Sequence, residues 1–258
     1  MGENINININ INTTVVSAYY EMKSKYTTDC YKKWISFFLE SCPCHLVFFT
    51  EAPLVEFIAT CRQKYKDRTF IVVCPRELWR TNTEYPQSFW EDQWNKDRHQ
   101  ELHNAELYKV WNEKKNFVMG AIQLNPFKHE KFIWTDAGIA RSPGSARIMS
   151  GFPFAANIPN NSILALCVYP FTNNEIEETH MAAGVIAGTI SAWISFYKIY
   201  DEIFSRCIQK NQFVGKEEYI LNRIYIDYPG LITCIHPPPS TINKWRYLLR
   251  YFSKIDKP

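Results

Sequence analysis

The chain has 258 residues, a formal net charge of +3 and 16% aromatic side chains. That length can bury a sizeable core as one large domain or two small ones, and the near-neutral charge gives no support to a nucleic-acid partner. No apolar run reaches membrane-span length and no secretory signal opens the chain, so no transmembrane segment is expected.

The first residues, "MGENINININ", alternate Asn with Ile. A period of two suits an edge strand, but the position suits a flexible low-complexity tail over residues 1–12. Gly2 follows Met1 as myristoylation requires, yet Asn6 stands where that motif needs Ser or Thr. "NTTVVSAYY" reads as a β-branched strand. In "TTDCYKKWISFFLE", Tyr31, Trp34, Ile35, Phe38 and Leu39 recur at helical spacing. "CHLVFFTE" is a short buried strand, and "PLVEFIATCRQ" is a helix with Pro53 at its start. "RTFIVVC" is another buried strand. Residues 75–98 are polar, aromatic and aperiodic, and read as a long insertion. A long helix is predicted from about Gln100 to Leu124, stopping before Pro126, with "KFIWTD" as the next strand.

This β-α-β-α-β-α-β order, with strands apolar on both faces, predicts a parallel sheet covered by helices, a Rossmann-like α/β unit. In the second half, "ILALCVYPF", "NNEI" and "HMAAGVIAG" look like strands joined by turns. A helix from Ser191 to Gln209 carries Trp193, Phe196, Tyr200, Phe204 and Cys207 on one stripe. No Gly/Ser/Pro linker divides the chain, so one mixed domain over residues 13–258 is expected. The eight cysteines are scattered, with Cys42-Pro43-Cys44 the only close pair and no Cys-x-x-Cys. They read as buried thiols in a reducing, cytoplasmic compartment.

Candidate chemistry gathers where "FIWTD" stops. Ligands of open α/β sheets bind beyond the carboxyl ends of the strands, and Asp136 is predicted at such an end. Ala137 and Gly138 leave room for a ligand to approach the backbone. The carboxylate there can accept from a ribose hydroxyl, hold a divalent cation, or merely cap the following turn. Lys114 lies on the long helix among Val110, Trp111, Phe117 and Val118, so its ammonium must snorkel, pair with a carboxylate or meet an anionic ligand. Lys115 falls nearer the polar side of that helix. Gly184 and Gly188, set among Ala182, Ala183 and Ala187, allow either a ligand or tight helix packing. Gly215 precedes a helix that opens with Lys216, Glu217 and Glu218, acids that ordinarily serve the helix dipole. His99, His103 and His129 lie in polar stretches and read as surface residues. His180 opens the glycine-bearing strand, and His236 precedes three prolines.

The stretches "TTVVSAYYE", "LVFFTE", "WNEKKNFVMGAIQLNPF", "FIWTDAGIAR", "AAGVIAGT" and "FVGKEEYILNRIYIDYPGL" together resemble the HtrL/YibB family, which is assigned to glycosyltransferases of the GT-A nucleotide-sugar class. The resemblance spans nearly the whole chain after the tail. It implies a transferase that moves a sugar from a nucleotide-diphosphate donor, a UDP-sugar by expectation, to a hydroxyl of a glycan or protein acceptor. Ser17, Ala18 and Tyr19 would meet the nucleobase and ribose, with Glu51 near the nucleoside. Asp136 takes the place of the DxD carboxylates that hold the ribose and a Mn²⁺ or Mg²⁺ ion, and His236 is a second candidate metal ligand. Lys114, Arg141 and Gly184 fall on the family's helix lysine, the arginine after Asp-x-Gly and the small-residue strand. Gly138 stands where a DxD has its second acid, so metal use is left open. Glu217 is the candidate acid at the acceptor, and Glu218 the runner-up, where relatives show an acid then Gln. Donor, acceptor and stereochemical outcome do not carry over.

A rival reading is an inactive protein that keeps this fold as an interaction module. Trp79, Trp90 and Trp94 would supply its binding surface, or equally an acceptor site for sugar rings. The closing "INKWRYLLRYF" is basic and amphipathic, and suits a membrane surface, a partner, or packing of Trp245, Leu248, Leu249 and Phe252 on the core.

Overall fold

The computed structural model describes residues 12–171 and 180–253. The tail before Asn12 and the "NNEI" strand fall outside them. The strands β1 (Thr13–Tyr19), β2 (His45–Thr50), β3 (Thr69–Val73) and β4 (Lys131–Thr135) are parallel. Beyond β4 come β6 (Met181–Thr189), β5 (Ile163–Cys167) and β7 (Ile232–Ile235), and the sheet order is β3-β2-β1-β4-β6-β5-β7. Only β6 runs against the rest. The four parallel strands are the expected Rossmann-like unit, and the reversed strand makes the sheet mixed.

Side chains along each strand alternate between two cores. Val15, Leu46 and Phe48 join one, and Val16, Val47 and Phe49 the other. Burial on both faces is why these strands read as unbroken apolar runs. The first core is closed by α1 (Thr28–Ser41), α2 (Val55–Cys61), α6 (Pro143–Met149) and α9 (Tyr247–Tyr251). The second is closed by α4 (Gln87–Lys96), α5 (Ala105–Leu124), α7 (Ile190–Gln209) and α8 (Glu217–Asp227).

Caps set the helix ends near the site. The Asn104 side chain accepts from Leu107 N at 3.0 Å, so α5 starts at Ala105 and not at the expected Gln100. Asn125, left-handed at φ 33, ends it ahead of Pro126. Thr189 Oγ1 accepts from Ala192 N at 3.3 Å, so α7 begins where β6 stops. Pro53 lies in a 3-10 turn, Ala52–Leu54, ahead of α2.

Arg62 is buried without a carboxylate partner among the described residues. Its guanidinium donates to the carbonyls of Leu39 (3.0 Å), Cys42 (2.5 Å) and Cys44 (2.8 Å), and to Thr69 Oγ1 at 2.8 Å. One side chain thus ties the end of α1 to the starts of β2 and β3.

Several expectations are corrected. Residues 75–98 are not a loose insertion. They form a short helix α3 (Arg80–Thr83) and α4, with Trp79 and Trp90 fully buried. Trp90 Nε1 donates to Thr81 O at 2.9 Å, and the Glu113 carboxylate of α5 accepts from Arg80 N and Thr81 N at 3.1 and 3.0 Å. Those tryptophans are core, and of the three only Trp94 is exposed. His129 is buried, 3.0 Å from Thr14 Oγ1, and His103 is half-buried, 2.7 Å from Asp97 Oδ2. Lys115 is buried beside Asp201 Oδ1 at 2.8 Å rather than on a polar face. The closing segment is a turn at Lys244–Arg246 and the short α9; Leu248, Leu249 and Phe252 are buried, but Trp245 is 43% exposed. Strand β7 was not anticipated. All eight cysteines are free, with Cys42, Cys44, Cys61, Cys167 and Cys207 buried. Among the described residues no helix is long and apolar enough to cross a membrane.

Candidate functional site

The chain leaves β1 toward β2 on one side and returns on the other side as β4. Helix α1 covers one face of the sheet and α5 the other. Strand order therefore reverses between the parallel neighbours β1 and β4, the place where open α/β sheets form a crevice at the carboxyl ends of the strands. Asp136 is the first residue past β4 there. Its backbone N donates to Gly184 O at 2.9 Å, so the reversed strand β6 holds it in place.

Helix α5 points Lys114 at that end. Phe117, Val118 and Ala121 are buried on the same stripe, three, four and seven residues on. Lys114 Nζ lies 3.0 Å from Asp136 Oδ1 and 2.6 Å from Glu217 Oε1, and donates to Ala183 O at 3.3 Å. Of the three possibilities for this lysine, the carboxylate pair is the one observed. Trp134 Nε1 also donates to Asp136 Oδ1, at 2.8 Å, and the Trp134 ring lies 5.8 Å from the ammonium. Glu217 opens α8, and Asn112 places it. The Asn112 amide donates to Val214 O and Gly215 O at 3.2 and 3.1 Å and accepts from Tyr200 OH at 2.6 Å. No motif marks Asn112; a polar residue one turn after Tyr108 on the buried side of α5 was the available signal.

Exposure divides the roles. The Asp136 side chain is 41% exposed, and that of Glu217 only 8%. Behind them Trp111, Trp134, Trp193 and Phe196 line a small apolar cavity. Burial raises the Glu217 carboxyl above its ordinary value, against the pull of Lys114, and Asp136 adds to the rise. Burial also presses on the Lys114 ammonium, but Asp136 and Glu217 outweigh it and its pKa is raised. Half-buried Glu218 is pushed up to about 8, by burial first and then by Glu217.

The other sequence candidates are spread around this centre. Ser17 is fully buried and donates to Thr135 O at 2.7 Å, a strand-to-strand tie with no free hydroxyl. Ala18 is half-buried, and buried Tyr19 stacks with Tyr31 at 6.3 Å. Glu51, past β2, pairs with Arg76 at 2.9 Å, and Arg76 also donates to Glu21 O. A Cβ on Gly138 would meet Tyr31 at 3.3 Å, and one on Gly184 would meet Asp136 Oδ2 at 3.5 Å. Gly188 is tight packing, since a Cβ would fall 2.6 Å from Ile163 Cδ1. Arg141 is exposed over the rings of Trp34 (4.4 Å) and Tyr26 (5.4 Å).

His236 is exposed on the segment after β7. Among the described residues no three His, Cys, Asp or Glu side chains converge as a metal set. Asp136 Oδ1 is already held by Lys114 and Trp134. These residues do not form a protein-only set for Mn²⁺ or Mg²⁺, and Asp136 Oδ2 is the carboxylate oxygen left for a cation or a donor hydroxyl.

A family model described as "Bacterial protein of unknown function (HtrL_YibB)" matches residues 11–254. No curated protein matches the chain. Among solved structures, it is similar to mouse xyloside xylosyltransferase 1 in its apo form, with TM-score 0.49 and 10% identity over 86% of this chain and 84% of that one. It is also similar to a glycosyltransferase involved in the glycosylation of the major capsid of PBCV-1, with TM-score 0.40 and 14% identity over 93% and 90%. A third is the PaToxG glycosyltransferase, with TM-score 0.39 and 11% identity over 85% and 71%.

Proposed function

The chain belongs to the HtrL_YibB family, and from that premise we propose that it is a glycosyltransferase of GT-A type, moving a sugar from a nucleoside-diphosphate donor to an acceptor hydroxyl. The observation that carries this reading is the Lys114 ammonium set between Asp136 and Glu217 at the switch point between β1 and β4. An apolar-backed carboxylate pair at that place suits a polyhydroxylated ligand and a proton transfer.

In this reading Asp136 meets the donor, because it is the exposed member of the cluster. Its Oδ2 faces Gly184, where the missing side chain leaves the approach open. Tyr19, Glu51 and Arg76 lie toward the nucleoside end. Glu217 takes the proton of the acceptor hydroxyl as the new C–O bond forms at the anomeric carbon. The old C–O bond breaks and leaves its electron pair on the diphosphate. Burial supports the role, since raised proton affinity is what a base near neutral pH needs. Glu218, whose carboxyl is pushed up to about 8, is the runner-up for that role. No step runs through a metal ion.

Thermal unfolding with UDP, GDP and their sugars tests the reading, on wild type and Asp136→Ala. A nucleotide at a hundred times its Kd stabilises the native state by about 2.7 kcal/mol. The expected result is a raised midpoint with one nucleotide that Asp136→Ala weakens. No shift with any of them would return the chain to the interaction-module reading.

A further inference from the structure

Helix α4 falls between β3 and α5, and it buries a glutamine beside a tryptophan. An apolar side chain could fill such a place, whereas a buried amide needs a partner. Gln93 Oε1 accepts from Val214 N at 2.8 Å, and Val214 stands three residues before Glu217. From α5 the Asn112 amide donates to Val214 O and Gly215 O. Side chains of α4 and α5 thus hold both polar backbone groups of Val214 and the carbonyl of Gly215. The fit is close. A Cβ on Gly215 would fall 3.0 Å from Tyr108 Cδ1 and 2.5 Å from Phe213 Cε2.

Asp97 caps the carboxyl end of α4, four residues after Gln93 and so on the same face. Its side chain is buried and has three donors around it. Tyr108 OH donates at 2.7 Å, His99 N donates at 2.9 Å, and His103 Nδ1 lies at 2.7 Å. Burial works against the charge of this carboxyl, but hydrogen bonds from His103, Tyr108 and His99 N outweigh it and hold it well below the usual carboxylate range. The buried ammonium of Lys216 lies 3.7 Å from Asp97 Oδ1, and Lys216 is the residue before Glu217. His103 also meets the Trp111 ring at 5.1 Å, edge to face, and Trp111 lines the cavity behind Asp136 and Glu217.

Three successive residues, Val214, Gly215 and Lys216, are therefore held by polar groups of α4 and α5, and Glu217 comes next. Hydrogen bonds have direction where apolar packing has none, so they fix the position of this segment as well as burying it. Position matters for a proton-accepting group, because a misplacement of about 1 Å can cost about a hundredfold in rate. We propose that Gln93, Asp97 and Asn112 are positioning residues for Glu217, a polar cradle that fixes the chain entering α8 and so sets where that carboxylate stands. The proposal rests on reading Glu217 as the base, and it gives α4 a part in the chemistry.

The test uses the full chain as wild type, Gln93→Met, Gln93→Glu and Asp97→Asn, with Glu217→Gln to assign the Glu217 signal. Three readouts are taken: NMR titration of the glutamate carboxyls, the Kd for UDP and GDP, and kcat and KM for release of nucleotide from their sugars. The environment of Glu217 raises its carboxyl, so a loosened segment should let it fall back toward the ordinary glutamate value. In Gln93→Met and Asp97→Asn the Glu217 midpoint should drop by about half a pH unit or more. Nucleotide Kd should stay within about twofold, while kcat falls about tenfold or more. Gln93→Glu keeps an acceptor for Val214 N and should recover most of both losses. The two Gln93 variants keep the test valid if Asp97→Asn fails to fold. Variants that only melt earlier, with the Glu217 midpoint and kcat of wild type, would overturn the cradle and leave it as plain structural support. If Glu217→Gln turns donor over as fast as wild type, or wild type turns over none, the base reading falls and the titration alone decides the cradle. A midpoint that moves in Gln93→Met and returns in Gln93→Glu then upholds it, and an unmoved midpoint overturns it.

Discussion

Lys114 Nζ lies 2.6 Å from Glu217 Oε1, an ion pair in which both side chains are less than one-tenth exposed. A pair this buried differs from a surface contact, because neither charge can fall back on water when its partner is removed. Lys114→Met should therefore cost about 3–5 kcal/mol in urea unfolding. Lys114→Met combined with Glu217→Met should recover much of that, since no carboxylate then stays buried alone. Additive losses in the double variant would show that the lysine serves packing and not charge.

Glu218 gives a pH signature. Its carboxyl is raised in the folded chain to about 8, against an ordinary value of 4.5. A raised group favours the fold while protonated. Its contribution is therefore complete below about pH 4.5 and is lost as pH rises toward about 8. Wild type should lose roughly 2–4 kcal/mol more than Glu218→Gln between pH 5 and pH 8, allowing for partial screening by solvent. Parallel stability curves for the two proteins would refute the assignment.

Chelation separates the ammonium-centred site from a metal-centred one. With Asp136 Oδ1 held by Lys114 and Trp134, nucleotide affinity should change by no more than about twofold on adding EDTA. Binding that vanishes with EDTA and returns with Mn²⁺ would mean that the second oxygen of Asp136, Oδ2, takes a metal.

The two glycines of β6 should behave differently. A Cβ at Gly184 makes ordinary contact with Asp136 Oδ2 at 3.5 Å, whereas one at Gly188 falls 2.6 Å from Ile163 Cδ1. Gly188→Ala should cost about 1–3 kcal/mol through overpacking and leave ligand binding alone. Gly184→Leu should keep its stability within about 1 kcal/mol and lose nucleotide binding, by covering the Asp136 oxygen. Equal effects on binding would remove Gly184 from the site.

The parallel half of the sheet was legible in the sequence because its strands are buried on both faces and read as continuous apolar runs. Helix α4 was hidden because Trp90 and Gln93 are its buried residues, too few to set a period among polar neighbours. Strand β7 is four residues long and too short to stand apart from the turn before it. Lys114 and Asp136 announced themselves by being charged where the pattern was apolar. Glu217 did not, since an acid in a first helical turn is ordinary. Its partner sits about a hundred residues away, and only the resemblance pointed to it.

The distance along the chain between Lys114 and Glu217 also bears on synthesis. The strands β1 to β4 are complete once residue 135 has left the ribosome, and α5 can dock on them as a unit. Asp136 arrives with that unit, but its backbone anchor on Gly184 and the second counter-charge for Lys114 do not. For the time it takes to make the rest of the chain, about a hundred residues, the lysine faces the nascent core with half its final complement of charge. The nascent half-domain therefore keeps a weak, wet edge where the site will be, and α8 seals it among the last elements to arrive.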